Sequence, residues 1–231
     1  MLDHLKERVF KANLDLVSHG LVIHTWGNVS GRDPESGMIV IKPSGVVYKK
    51  MKESDMVVLD PEGKVVEGKY KPSTDSPTHI MLYKTFGSLG GVVHTHSTYA
   101  TSWAQAGKSI PPFGTTHADH FYGEVPCTRM LSNKEIAVNY EENTGKVIVE
   151  KIGENDPLSV PSILVNCHGP FSWGKDAEGA VHNAVALEEI ARMAFYTILL
   201  GKSEPVDKYL LDRHYSRKHG NDSYYGQEKK K

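Results

Sequence analysis

Three stretches of the chain place apolar residues at every third or fourth position, the spacing of one buried helix face. They cover residues 2–18, 75–86 and 177–200. In the second stretch, Ser76 and Pro77 suit the first turn of a helix. The third stretch is the clearest, and its predicted apolar face consists of Ala184, Leu187, Ala191, Ala194, Phe195 and Ile198. The pattern therefore predicts three helices separated by long intervals.

Short apolar runs fill the interval between the first two helices, and turn residues bound them. The runs lie within residues 20–30, 38–41, 56–60 and 65–67, and the last two flank a hairpin turn at 61–64. Mostly hairpin-linked strands with flanking helices predict an α/β fold with a central, largely antiparallel β-sheet. Because no linker or shift in composition divides the 231 residues, we expect one domain.

Histidines close two further apolar runs, and they are the strongest sign of chemistry in the chain. His94 and His96 follow a pair of valines, and residues two apart on a strand point to the same face. His168 ends the run 163–168 in the same manner. A close histidine pair also arises by chance among twelve histidines, but two such runs favour a metal site. Three neutral imidazoles with an open fourth position are a common set of ligands for catalytic zinc.

Three short segments combine hydroxyl or amide side chains with Gly or Pro, as anion-binding turns do. They are residues 26–30, 42–45 and 71–75. Each alone is more simply a turn, but three of them beside a candidate metal site indicate a phosphate pocket. The third directly precedes a predicted helix, whose N-terminus favours negative charge. Asp75, at its end, suits either a helix cap or a carboxylate that completes a zinc site.

Two other polar stretches suggest functional contacts. Segment 114–123 is dense in titratable groups without helical or strand alternation, which is typical of a site or an interface. Asp119 is its candidate proton acceptor. The C-terminal stretch 212–231 is aromatic as well as polar and basic. Its paired Tyr224 and Tyr225 indicate that this tail docks at a subunit interface, over a neighbouring subunit's site.

Composition adds mainly exclusions. With 39% hydrophobic and 24% charged residues and a formal net charge of -1, the chain gives no reason to expect nucleic acid or a membrane as partner. We expect no membrane span and no signal peptide. The two cysteines, Cys127 and Cys167, lie outside any Cys-x-x-Cys motif, which indicates reduced thiols and a cytoplasmic protein. Beside His168 on a strand, Cys167 would point to the opposite face, as a core or supporting residue.

Taken together, these segments closely resemble the class II, zinc-dependent aldolase family, and within it the epimerases that act on L-ribulose 5-phosphate. The resemblance covers nearly the whole chain. The matching motifs are Thr25-Trp26-Gly27-Asn28-Val29-Ser30, Ile41-Lys42-Pro43-Ser44-Gly45, Val66-Glu67-Gly68, His94-Thr95-His96-Ser97, Gly114-Thr115-Thr116-His117-Ala118-Asp119, His168-Gly169-Pro170-Phe171 and Arg217-Lys218-His219-Gly220.

The resemblance implies a role for each group of residues. One zinc ion (Zn²⁺) per subunit would be held by His94, His96 and His168, with Asp75 also at the zinc. Asp119 and Tyr225, the latter from an adjacent subunit, would be the acid/base pair. His214 and Glu141 would support this pair and the bound substrate. The phosphate pocket would be lined by Gly27, Asn28, Ser44, Gly45, Ser73 and Thr74, with Lys42 close by. Members of the family are similar in being homotetramers with sites at subunit interfaces.

The implied activity is the interconversion of L-ribulose 5-phosphate and D-xylulose 5-phosphate by retro-aldol cleavage and re-addition between C3 and C4. This activity is compatible with L-arabinose, L-ascorbate and other pentose pathways. The ligand set is also compatible with divalent ions other than zinc. Three positions depart from the usual family residues: Thr74, His120 and Cys167. Of these, His120 could alter the acid/base role of Asp119.

Two alternative functions compete with the epimerase. A class II aldolase of a related sugar phosphate would share the zinc and the phosphate pocket, but such aldolases usually carry Glu where Asp75 stands. A non-enzymatic interaction module, as in adducins, would lack the ligand histidines.

Overall fold

The computed structural model describes residues 2–201 and 204–219. Within these ranges the chain forms eight α-helices and seven β-strands, and the three predicted helices are confirmed to within two residues at each end. The elements in chain order are α1 (Asp3–Ser18), β1 (Asn28–Arg32), β2 (Ile39–Ile41), β3 (Val57–Leu59), β4 (Val65–Glu67), α2 (Ser76–Thr85), β5 (Gly91–His94), α3 (Thr98–Gln105), α4 (Thr115–Ala118), α5 (Asn133–Ala137), α6 (Tyr140–Ile152), β6 (Ser162–Leu164), β7 (Pro170–Gly174), α7 (Ala177–Leu199) and α8 (Lys208–His219).

The strands of the described chain form one sheet in the order β4-β3-β2-β1-β5-β7-β6, and every neighbouring pair is antiparallel. This confirms the predicted α/β fold with a central antiparallel sheet. In the middle of the sheet, Asn28 at the start of β1 lies opposite His94 at the end of β5. On the other side of β5, His94 lies opposite Phe171 of β7. The register therefore brings these three side chains together at one end of the central strands.

Helices cover both faces of the sheet, because alternate residues of each strand point to opposite sides. Ile39 and Ile41 of β2 face one core, which α2 and α6 complete, whereas Val40 faces the core with α1 and α7. Each fully buried Val or Ile contributes about 1.5–3 kcal/mol of hydrophobic stabilisation. The packing fixes the central strands firmly, and it therefore also fixes the strand ends that carry Asn28 and His94.

Two predicted boundaries were wrong. Residues 20–27 are not a strand, because His24 (φ 57°) and Gly27 (φ 78°) adopt left-handed backbone conformations that an extended strand excludes. Likewise, β6 ends at Leu164 and His168 lies in the turn to β7, a strand that the sequence pattern did not reveal. The C-terminal stretch from 212 is helical as far as its residues are described, since α8 ends at His219.

None of the described helices has both the length and the apolar character that crossing a membrane requires.

Candidate active site

A cleft of about 540 Å³ opens at the end of the central strands where β1 begins and β5 ends. It collects most of the residues that the sequence singled out, including all three histidines and all three proposed anion-binding segments. Its lining consists of Thr25, Trp26, Gly27, Asn28, Lys42, Ser44, Gly45, Ser73, Thr74, Asp75, His94, His96 and His168. Asp119, Glu141 and His214 are not among the lining residues, and Tyr225 lies outside the described residues.

Three imidazoles meet at one end of the cleft. One ring nitrogen from each of His94, His96 and His168 lies within 4.8 Å of the others. The Nε2 atoms of His94 and His96 are 3.1 Å apart. Two nitrogens bound to one tetrahedral ion at about 2.0–2.1 Å lie about 3.3 Å apart, so the pair has the spacing of shared ligands. Among the described residues, this is the one group of three or more His, Cys, Asp or Glu side chains close enough to hold an ion.

Neighbouring groups orient two of these rings. The Nδ1 atom of His94 lies 3.0 Å from the carbonyl oxygen of Pro170, and the ring stacks on Phe171 at a centroid distance of 4.3 Å. Donation from Nδ1 to this carbonyl leaves Nε2 with its lone pair towards the cleft, which is the form that binds a metal. His168 is similarly placed, with Nδ1 at 3.3 Å from the hydroxyl of Tyr140.

Two of the three imidazoles, those of His96 and His168, are held in the neutral form. Burial, assisted by the nearby His94 and His96, lowers the pKa of His168 to about 3. Burial also lowers the pKa of His96, and the neighbouring His94 adds to this effect. Because a metal ligand must be an unprotonated imidazole, the site is prepared for an ion at neutral pH.

The turn that carries His168 differs from the predicted strand. The amide of Val165 donates to the carbonyl of Gly169, and Cys167 adopts a left-handed conformation with φ 61°. Cys167 is exposed, and its thiol donates to the side-chain oxygen of Asn166 at 3.2 Å. The prediction that Cys167 is a core or supporting residue was therefore wrong, because the alternation argument applies only to strands.

Asp75 belongs to the cleft and not to the helix cap. It occupies the cap position of α2, yet its side chain makes no capping hydrogen bond. Its carboxylate instead accepts a hydrogen bond of 2.6 Å from the side-chain amide of Asn28. Burial raises the pKa of Asp75, but the nearby histidines, with His94 foremost, and the Asn28 hydrogen bond outweigh it, so the pKa lies below its usual value. A carboxylate therefore faces the imidazole cluster.

Sequence reasoning missed a buried polar group behind Asp75. His79 of α2 is fully buried, and its Nδ1 lies 2.7 Å from the hydroxyl of Ser30, which in turn contacts the hydroxyl of Tyr83 at 2.8 Å. Burial lowers the pKa of His79 to about 3, so it is neutral. Its Nε2 and the side-chain oxygen of Asn28 have no hydrogen-bond partner among the described residues, and buried polar atoms of this kind are suited to bind a water molecule or an ion.

Two of the proposed anion-binding segments, 42–45 and 71–75, are joined by backbone hydrogen bonds within the cleft. The amide of Ser73 donates to the carbonyl of Lys42, and the amide of Ser44 donates to the carbonyl of Lys71. These bonds place the hydroxyls of Ser44 and Ser73 on adjacent turns, just before the N-terminus of α2. Gly45 has φ 68°, and a side chain there would be strained. The exposed hydroxyls of Ser44 and Thr74, a glycine turn and a helix N-terminus together can bind a phosphate group.

Lys42 supplies a buried positive charge beside this pocket. Its Nζ lies 4.8 Å from the centre of the Tyr48 ring and 3.4 Å from the carbonyl oxygen of Thr25. Burial lowers the pKa of Lys42 to about 8. The ammonium group is therefore mostly charged at neutral pH and can attract an anion.

Asp119 lies apart from the cleft, at the end of α4. Arg217 of α8 donates to its carboxylate from two nitrogens, Nε at 2.9 Å and Nη2, and His214 Nδ1 lies 3.1 Å from the same group. Burial raises the pKa of Asp119, but these partners and the nearby Lys218 outweigh it, so the pKa lies below its usual value. The predicted association of Asp119 with His214 is present, and α8 holds the carboxylate in its ionised form.

His120 and Glu141 take up positions outside the cleft. The ring of His120 lies 5.5 Å from that of His182, and burial lowers the pKa of His120 to about 4. Glu141 lies in the first turn of α6, where its backbone carbonyl accepts a hydrogen bond from Thr78. The neighbour of Glu141, Tyr140, is the residue of this turn that reaches the imidazole cluster, and sequence reasoning missed it.

Comparisons with known proteins agree with this geometry. The family described as Class II Aldolase and Adducin N-terminal domain matches residues 7–195. The chain is 59% identical over 227 residues to the L-ribulose-5-phosphate 4-epimerase UlaF of Salmonella paratyphi B, which covers 98% of this chain and all of that relative.

Solved structures show the same fold. An L-fuculose 1-phosphate aldolase superposes with a TM-score of 0.78 at 25% identity, covering 93% of this chain and 95% of that one. The L-fuculose 1-phosphate aldolase from Glaciozyma antarctica PI12 superposes with a TM-score of 0.76 at 21% identity, covering 93% of this chain and 81% of that one.

Proposed function

Because the chain belongs to the class II aldolase and adducin N-terminal domain family, we propose that it is a metal-dependent epimerase that interconverts L-ribulose 5-phosphate and D-xylulose 5-phosphate. The observation that carries the proposal is one cleft that is lined both by three clustered imidazoles and by the turn residues of a phosphate-type pocket. The full-length identity to an epimerase supports the choice of substrate. The reaction is the same in L-arabinose and L-ascorbate breakdown, so the proposal covers both. The free thiols of Cys127 and Cys167 support the cytoplasm as its compartment.

The donor set supports zinc as the metal. His94, His96 and His168 would hold the ion, with Asp75 beside it, and this set leaves a position open for substrate. When bound, the ion supplies a Lewis acid that stabilises the negative charge of an enediolate. An adducin-type binding module has no need of such a cluster, so the three imidazoles favour an enzyme.

The proposed reaction inverts C4 without a redox cofactor. A base takes the proton of the C4 hydroxyl, C4 becomes an aldehyde carbon, and the electron pair of the C3–C4 bond passes into the enediolate of dihydroxyacetone. The other fragment is glycolaldehyde phosphate. The aldehyde then turns its opposite face to C3, the bond re-forms, and an acid returns a proton to the oxygen.

Inversion needs two proton-transfer groups on opposite sides of the aldehyde, and we assign them to Asp119 and Tyr225. The low pKa of Asp119 keeps it in the form that accepts a proton. Lys42, Ser44 and Ser73 hold the phosphate, and with it the aldehyde fragment, while the fragment turns.

Subunit association completes the proposal. Asp119 does not line the cleft of its own chain, which supports sites that are shared between subunits of a homotetramer. The last turns of α7 expose Phe195, Ile198 and Leu199, an apolar surface that suits such an interface. We further propose that the tail beyond α8 docks there and delivers Tyr225 to the neighbouring cleft.

The direct test is a coupled assay of the purified protein with L-ribulose 5-phosphate, with and without a chelator, alongside metal analysis. Chelator-sensitive formation of D-xylulose 5-phosphate and about one zinc per chain support the proposal. Net cleavage of another sugar phosphate without epimerisation would move the assignment to an aldolase.

Shared sites are tested by mixing two inactive variants, Tyr225→Phe and His96→Ala, and allowing subunits to exchange. Recovery of activity shows that one chain supplies the tyrosine and another the metal ligands. A mixture as inactive as its components would contradict sharing.

A further inference from the structure

The rim of the cleft carries a large aromatic side chain that neither metal binding nor phosphate binding explains. Trp26 is 52% exposed, whereas the other two tryptophans, Trp103 and Trp173, are 7% and 0% exposed. Its ring centroid lies 6.3 Å from that of His96, and the carbonyl oxygen of the preceding residue, Thr25, lies 3.4 Å from Nζ of Lys42. The indole therefore belongs to a turn that lies between the imidazole cluster and Lys42. An exposed indole at the rim of a cleft offers an apolar face against which a bound ligand can pack.

The backbone holds this indole in place. The hydroxyl of Tyr48 donates to the carbonyls of both Trp26 and Gly27, at 3.2 and 2.9 Å. Gly27 packs so closely that an added Cβ would lie 2.8 Å from the carbonyl oxygen of His94. His24, just before, keeps a left-handed backbone with φ 57°. Strained conformations of this kind persist only where the surrounding structure fixes them. The turn thus presents the indole at the cleft as a fixed wall.

We propose that Trp26 is a positioning residue that covers the phosphorylated aldehyde fragment between cleavage and re-addition. The inference rests on the proposed epimerase function. An epimerase has to retain glycolaldehyde phosphate while its aldehyde end turns, and a hydrogen-bonding wall would hold one orientation only. The face of an indole instead packs on C–H groups without a directional bond. Trp26 lies between the group that holds the phosphate and the group that meets C3, where the middle of the fragment passes. It therefore limits escape of the fragment and permits its rotation.

The test measures how the cleaved fragment partitions between release into solution and re-addition to form the epimer. Holoenzyme is given L-ribulose 5-phosphate, and phosphorus NMR measures D-xylulose 5-phosphate and released glycolaldehyde phosphate. In Trp26→Ala, we expect the ratio of released aldehyde to epimer to rise about three- to tenfold, the equivalent of losing one aromatic contact. Trp26→Phe, which keeps a smaller aromatic face, should lie between the two. An unchanged ratio in Trp26→Ala, with metal content equal to that of the native protein, would overturn the proposal.

Ile23→Ala is the matched control. Ile23 lies in the same turn and is 56% exposed, but it does not line the cleft. Its carbonyl accepts a hydrogen bond from the amide of Trp26, and this backbone bond survives the substitution. The partition ratio of Ile23→Ala should therefore equal that of the native protein. A rise equal to that of Trp26→Ala would show that the turn, and not the indole, matters.

Acrylamide quenching of tryptophan fluorescence gives a reading that is independent of turnover. Because Trp103 and Trp173 are buried, quenching of the holoenzyme reports Trp26. We expect D-xylulose 5-phosphate to protect it, and Trp26→Phe to abolish the protected component. The assignment is refuted if the sugar phosphate leaves quenching unchanged. It is also refuted if the indole is already inaccessible to acrylamide in the free holoenzyme. If the native protein does not turn over L-ribulose 5-phosphate, the proposed function fails and this inference with it. If it does and Trp26→Ala partitions normally, only the inference fails.

Discussion

Lys42 allows the phosphate pocket to be tested through pH. The ammonium group is buried beside Tyr48, and this burial lowers the pKa of Lys42 to about 8. Only the protonated form attracts a phosphate dianion, and a lysine is protonated below its pKa. Capture of a phosphorylated substrate should therefore be strong at neutral pH and weaken as pH rises through the pKa of Lys42.

The size of the effect follows from that value. One pH unit above its pKa, about one Lys42 in ten carries a charge. Because kcat/KM reports ionisation of the free enzyme, it should fall about tenfold for each further unit. Lys42→Met removes the charge at every pH. A hydrogen bond to a charged group contributes about 1.5–3 kcal/mol, so this variant should lose about ten- to a hundredfold in kcat/KM at neutral pH.

The assay is a pH profile of kcat/KM with L-ribulose 5-phosphate for the native protein and Lys42→Met. The alkaline decline should be present in the first and absent from the second. Lys49→Met, at an exposed lysine just beyond the same segment, is the control and should keep the native profile. The reasoning is refuted if the native profile stays flat across the pKa of Lys42, or if Lys42→Met retains the same decline.

Three further changes probe the metal ligands, the cleft backbone and the apolar end of α7. Tyr140→Phe removes the hydroxyl beside His168 and should weaken zinc binding about tenfold, as measured by competition with a chelator; unchanged affinity would exclude this contact. Gly27→Ala forces a Cβ against the His94 carbonyl at positive φ and should cost about 1–3 kcal/mol in urea unfolding. Leu199→Asp should reduce the sedimentation mass if α7 forms an interface, whereas the same change at the exposed Val138 should not.

The sequence was sufficient to predict that His94, His96 and His168 cluster, although part of the reasoning was wrong. His94 ends β5, but His96 lies beyond the strand and His168 in a turn, so strand alternation does not hold the three together. The sheet register does so, because β7 follows that turn and places Phe171 opposite His94. The turn depends on a left-handed cysteine, a conformation that no local propensity predicts.

Long-range contacts account for what the sequence could not give. Arg217 pairs with Asp119 across 98 positions, and no spacing rule connects α4 with α8. Tyr140 reaches His168 because α6 packs against α2 beside the cleft. The neighbouring carboxylate, Glu141, was the more obvious candidate from residue type alone. Local motifs identified three segments that contribute to one cleft, because each segment carries its own turn residues. The hydrogen bond between the Ser73 amide and the Lys42 carbonyl, which joins two of these segments, could not be predicted without the fold.

The position of Asp75 bears on the choice between epimerase and aldolase. Its carboxylate is held by Asn28 at 2.6 Å, and Asn28 is itself fixed by its place opposite His94 in the sheet. A short carboxylate that is tied to the sheet by the Asn28 hydrogen bond, which also lowers its pKa, suits a fixed negative charge near the proposed metal better than a mobile base that follows the substrate. Proton transfer then requires groups from elsewhere, and the proposed role of Asp119, held by α8 outside the cleft of its own chain, meets this requirement. In the proposed mechanism, binding and proton transfer therefore belong to separate elements. Separate elements can place acid and base on opposite sides of an aldehyde, which inversion requires and simple cleavage does not.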